Sequence, residues 1–106
     1  NSLDHARFGL LFLRNGKWKN ELLLSPEWIK LVQQPSENNE SYGYMWWLNR
    51  GVRKWDGLSE NIYYGAGFGG NFIVIIPDHN LVVVTRWIDS SKIGEFIKKV
   101  VDSQIN

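Results

Sequence analysis

The chain has 106 residues and 43% hydrophobic content, enough for one domain with a core, and its 12 basic and 11 acidic residues leave a formal net charge of +1. Those charges are scattered and form no basic stripe, which argues against a nucleic-acid or anionic-membrane partner, and no apolar run approaches the roughly eighteen residues that span a bilayer. The absence of cysteine excludes disulfides, thiolate zinc sites, iron–sulfur clusters and a cysteine nucleophile, and it fits an extracytoplasmic protein.

The chain opens at "NSLDHARFGLLFL", already in a helical pattern, as expected of a piece of a larger fold. Ser2 reads as the N-cap, Phe8, Leu11 and Phe12 share one face, and Asn15-Gly16 reads as the stop. "KWKNELLL" reads as a connecting segment. "SPEWIKLVQQP" predicts a second helix, with Ser25 as cap, Pro26 at the first helical position, Glu27 near the positive end and Pro35 as the end. Residues 36 to 41 form a polar loop.

From Tyr42 the period changes. "YGYMWWLN" reads as a strand with Tyr42, Tyr44 and Trp46 on one face and Met45 and Trp47 on the other. Residues 49 to 58 read as a loop, "ENIYYGAG" as a second strand and "NFIVII" as a third. "PDHN" turns into "LVVVTRW", so the last two strands should form an antiparallel hairpin. Asp89 or Ser90 caps a final helix with Ile93, Phe96, Ile97, Val100 and Val101 on one side. The fold class is therefore α+β: an antiparallel sheet of three to four strands, flanked by two N-terminal helices and one C-terminal helix. Residues 1–106 form a single unit. Strands 72–76 and 81–84 are apolar on both faces, which implies cover from both sides. The N-terminal helices look barely long enough for the second face, so the chain reads as half of a sandwich.

No complete catalytic set stands out. His5 reads as a polar residue on a first helical turn before it reads as a base. Asp78 and His79 sit in the hairpin turn, where local backbone bonding is the common role and no further metal ligands are in view. Ser25 has the setting of a helix cap, and Ser90, Ser91 and Lys92 that of a helix start. The aromatics Tyr42, Tyr44, Trp46, Trp47, Trp55, Tyr63 and Tyr64 admit a glycan- or peptide-stacking platform, although core packing is the commoner fate at strand spacing.

The stretch "YYGAGFGGNFIVIIP", residues 63 to 77, sets four glycines against a buried strand. Glycine costs entropy inside a strand, so the cluster needs a reason. A strand follows it, not the helix that a phosphate loop requires. A bulge or tight bend and a close approach to a ligand both remain open.

"DHARFGLLFLRNGKW", "LLSPEWI", "YGYMWWLN" and "GFGGNFIVIIPDHNLVVV", in that order and spacing, resemble the C-terminal part of serine β-lactamase-like hydrolases, the class C β-lactamase and penicillin-binding-protein-related group. The resemblance covers nearly the whole chain. It implies a parent whose serine and lysine lie in an S-x-x-K motif, followed by Y-x-N or Y-x-S; neither motif occurs in this sequence. Only the third element, K-T-G or a histidine/glycine variant, has a counterpart, within Gly65–Asn71. Gly67, Phe68, Gly69, Gly70 and Asn71 match the G-x-G-G-Q form best, with asparagine in place of glutamine. The resemblance implies that this strand lines the acyl-binding cleft and that one of its main-chain N–H groups helps form the oxyanion hole. The missing lysine and histidine lean towards esters or amides over penicillin-like acids. No cofactor and no metal are implied. Further expectations are inactivity of the chain alone, a missing N-terminal part of the same fold as partner, and a periplasmic or extracellular location. An aromatic-rich binding module, or a unit that self-associates to cover its sheet face and edge, are the competing readings.

Overall fold

The computed structural model describes residues 1–51 and 54–104, so positions 52 and 53 of the 49–58 loop lie outside the described residues. Helix α1 spans Ser2–Leu13 and ends at Asn15 and Gly16, both with positive φ, where the sequence places the stop. Its cap is Asn1, not Ser2: the Asn1 Oδ1 accepts from the Asp4 N–H at 2.9 Å. Asparagine and serine cap about equally well, so the register was decided by which side chain reaches the third N–H. "KWKNELLL" holds more structure than a connection. Strands β1 (Lys17–Trp18) and β2 (Glu21–Leu22) form a small hairpin, with Lys19 at φ 56° in its turn. Helix α2, Pro26–Val32, is capped as read from sequence, by Ser25 Oγ on the Trp28 N–H at 3.1 Å.

The aromatic stretch departs from expectation. Only Trp47–Leu48 form a strand, β3, because the chain doubles back before it. Gly43 N–H donates to Trp46 C=O at 2.8 Å, and Met45 takes φ 71°. The turn destroys the expected alternation: Trp46 is 6% exposed, whereas Met45 beside it is 80% exposed and Tyr44 also faces out. Strand β4 is Tyr63–Gly67, β5 is Asn71–Ile76 and β6 is Leu81–Thr85, antiparallel in the order β3-β4-β5-β6. The β5–β6 turn is a short 3-10 segment, Pro77–His79, closed by Asn80 in the left-handed region. Asp89 caps a second 3-10 turn, Ser90–Lys92, which leads into α3, Ile93–Asp102.

Both faces of the four-stranded sheet are covered. On one, Tyr64, Phe72, Val74 and Ile76 pack with Leu58 and Ile62 and with Ile93 and Ile97 of α3. On the other, Tyr63 and Ile75 pack with Trp46, Leu48, Phe12 of α1, and Ile29 and Val32 of α2. Helix α1 also lies across β5 and β6. The two short N-terminal helices thus suffice for the second face. Buried Asn49 ties the 49–58 loop to the sheet: its Nδ2 donates to the carbonyls of Leu58 and Ser59, and its Oδ1 accepts from the Trp55 N–H.

Candidate functional site

The four glycines of the 63–77 stretch fall into two physically different pairs. Gly69 and Gly70 follow Phe68 in the loop that closes the β4–β5 hairpin between Gly67 and Asn71, with φ of 84° and 77°. L-residues avoid that region. A Cβ on Gly70 would also lie 1.7 Å from the Ile88 carbonyl oxygen, and one on Gly69 would lie 2.4 Å from the Trp87 ring. The loop is pinned against the chain after β6. Gly70 C=O accepts from the Ile88 N–H at 3.3 Å and from Thr85 Oγ1 at 3.2 Å. Asn71 acts as a clasp: its Nδ2 donates to Phe68 C=O at 2.8 Å, and its Oδ1 accepts from the Trp87 N–H at 3.3 Å. Phe68, at the tip, is 97% exposed. A bend accounts for this pair.

Gly65 and Gly67 lie within β4 at ordinary φ, and a Cβ on either would find only normal contacts, Trp46 at 3.9 Å and Asn71 at 3.7 Å. Neither a turn nor packing demands glycine there. Along β4, β3 reaches only Tyr63 and Tyr64, so among the described residues no strand pairs with the outer edge of β4 from Gly65 to Gly67. Ile62 C=O accepts from the Asn49 N–H on the β3 side. Because backbone groups alternate along an antiparallel ladder, those of Gly65 face β5 and those of Ala66 face the open edge. Ala66 therefore presents an N–H and a C=O where β3 has ended.

Hollows flank this edge on both faces of the sheet. One, of about 460 Å³, lies between Ala66, Gly67, Tyr64 and Phe72 and the side chains of Trp47, Trp55, Ser90 and Ile93. Another, of about 320 Å³, is bounded by Gly65, Phe8, Trp28, Tyr44 and Trp46 and is almost wholly apolar. A third, of about 240 Å³, places His5 beside Gly65, Ala66 and Gly67. No local pattern links His5 to a strand sixty residues away; the packing of α1 on the sheet does so.

The other candidates have structural employment. Asp78 accepts from Asn61 Nδ2 at 2.9 Å, and hydrogen bonds from Ser59 and Asn61, with His79 adding charge attraction, hold its carboxyl below the usual range. Asp89 is held low by the N–H and hydroxyl of Ser91, at 3.0 and 2.8 Å, so Ser91 serves a turn. Most of the aromatics are core. Trp46 packs edge-on to Tyr63, Trp55 stacks on Tyr64 at 4.4 Å, and burial pushes the Tyr63 hydroxyl pKa well up, keeping it protonated. Trp28 and Tyr44 remain exposed, tilted 50° to each other, which is not a flat stacking platform.

No protein-family model and no curated protein matches the sequence. A solved structure from Bacillus anthracis that carries the name of a 6-aminohexanoate-dimer hydrolase is similar to the chain at a TM-score of 0.71 and 20% identity. The match covers 95% of this chain and 27% of that one, so the chain spans about a quarter of the neighbour's length. In fold, the chain is α+β with antiparallel sheets, and that fold is β-lactamase-like.

Proposed function

We propose that the chain supplies one wall of the acyl-transfer cleft of a serine hydrolase, as the C-terminal part of that fold, and that it lacks the nucleophile. One observation carries the reading: the β4 edge at Gly65–Gly67 is open, side-chain-free at both glycines, and presents the Ala66 N–H between hollows on the two faces of the sheet. A substrate carbonyl on that edge would find a fixed donor for the negative charge that develops when it is attacked, and glycine lets its backbone come close. Gly67 belongs to the wall, while Phe68, Gly69, Gly70 and Asn71 form the hairpin that holds its end.

The serine, lysine and tyrosine of such chemistry would come from a missing N-terminal part, since the sequence has no S-x-x-K, Y-x-N or Y-x-S. The class C and penicillin-binding relationship belongs to the same proposal, as does a periplasmic or extracellular location. Esters or amides suit the edge better than penicillin-like acids, because no lysine or histidine stands in the K-T-G position to hold a carboxylate. The neighbour's name, a 6-aminohexanoate-dimer hydrolase, agrees with that leaning.

The test is intact mass after incubation with a fluorophosphonate and, separately, a penicillin. A folded sample should show no adduct with either reagent. An adduct mapping to one serine would overturn the proposal, since the chain would then carry its own activated nucleophile.

A further inference from the structure

Helix α1 lies across β5 and β6, and its first turn holds His5 half-buried against Gly65, Ala66 and Gly67, in the hollow of about 240 Å³. The main-chain N–H of His5 donates to Asn1 C=O, but none of the hydrogen bonds or ion pairs among the described residues uses its ring. Three hollows meet at this edge. Of the residues that border them, His5 is the only basic one, and none is aspartate or glutamate.

The charges around the ring leave an anion unopposed. Asp4, its neighbour on α1, is paired with Arg7 at 2.8 Å. Arg86, just after β6, donates from Nη1 to Ser2 Oγ at 3.5 Å, so a second cation stands by the start of the helix. The strands packed most closely against α1, Asn71–Ile76 and Leu81–Thr85, carry no charged residue, and Lys17 of β1 lies beyond the other end of α1. A group bound beside His5 therefore meets an imidazole, main-chain amides and apolar walls. A carboxylate finds a partner there, and a cation finds none.

We propose that His5 is a specificity-determining residue of the cleft: its ring binds a carboxylate of the substrate while the Ala66 N–H meets the carbonyl under attack. The substrate class is then an ester or amide that carries a carboxylate on the α1 side of the sheet. This rests on the reading of Gly65–Gly67 as a cleft wall. A K-T-G cation would hold a carboxylate from the strand itself; here the helix supplies the basic group, so the anion sits to one side of the edge. Histidine gains its charge as pH falls through the range of about 8 to 5, so the preference for an anion should be present at the acid end of that range and lost at the alkaline end.

NMR titration of the 106-residue chain tests it with two probes, N-acetylglycine, an amide bearing a carboxylate, and its neutral counterpart N-acetylglycinamide. Each is added to about 50 mM at matched ionic strength. The Ala66 amide reports on the edge and the His5 ring on the anchor, with the His79 ring in the β5–β6 turn as control. At about pH 5.5 N-acetylglycine should move Ala66 and His5 along one saturating curve, leave His79 still, and bind about three- to fivefold more tightly than the neutral amide. That ratio should fall to about one near pH 8, and also in His5→Gln, which keeps a hydrogen-bonding side chain without the charge. If the variant fails to fold, the wild-type comparison at the two pH values decides alone. An equal Ala66 response to the two probes with the His5 ring unmoved, or a ratio that neither pH nor His5→Gln changes, would overturn this inference and leave the cleft wall standing. An Ala66 amide that answers neither probe would overturn the cleft reading, and this inference with it.

Discussion

Replacing Gly70 and Gly65 by alanine, one at a time, should move stability in opposite directions. At Gly70 the φ of 77° alone costs an L-residue about 1–2 kcal/mol. The new methyl would also meet the Ile88 carbonyl at 1.7 Å, so the chain after β6 must move, and overpacking of this kind costs about 1–3 kcal/mol more. That movement strains the bonds of Gly70 C=O to Ile88 and Thr85 as well. Gly70→Ala should therefore lose about 2–5 kcal/mol, a large share of the stability of a domain this size. At Gly65 the methyl would be no nearer than 3.9 Å to Trp46, at an ordinary strand φ. Restricting the unfolded chain there should gain about 0.4–1 kcal/mol. Urea unfolding followed by tryptophan fluorescence and by circular dichroism measures both variants on one scale. A Gly70→Ala variant as stable as the parent, or a Gly65→Ala variant as damaged as Gly70→Ala, would refute the division into bend glycines and open-edge glycines.

Other expectations concern the frame around the site. Asn49→Ala removes three bonds to the backbone, of which the one to Leu58 C=O is buried and those to Ser59 C=O and Trp55 N–H are part-buried, and should cost about 2–4 kcal/mol in the same urea assay: about 1–3 kcal/mol for the buried group and less for the two that water can reach. Ile97→Ala empties a fully buried position under the sheet and should cost about 2–5 kcal/mol. Asp78 and Asp89 have folded pKa values depressed below the ordinary 3.8, so their contribution is present above that value and is lost as pH falls through the lower folded values. The urea midpoint should fall as pH drops below about 3.8, and Asp89→Asn should make that fall shallower.

The frame was legible because its signals are local. Ser25, Pro26 and Glu27 mark the start of α2 by capping chemistry, and the apolar run before "PDHN" marks β5 and its hairpin with β6. Two regions were not legible, for different reasons. Aromatic residues at every second position suit a strand and a tight hairpin equally well, and only the left-handed Met45 shows that the chain turns before β3. The glycine run hides two functions in one motif. Gly69 and Gly70 are needed because Trp87 and Ile88 return against them, a contact made by residues about eighteen positions away that no local pattern reports. The seating of His5 beside Gly65–Gly67 is equally non-local.

The most direct test of the open cleft edge is residue-resolved amide exchange along β4 in the folded chain. Ala66 should exchange far faster than Tyr63 and Gly65, whose N–H groups face β5 in the ladder. Protection of Ala66 equal to theirs in a monomeric sample would mean that another part of the chain covers the edge, and Gly65–Gly67 would no longer stand as a cleft wall.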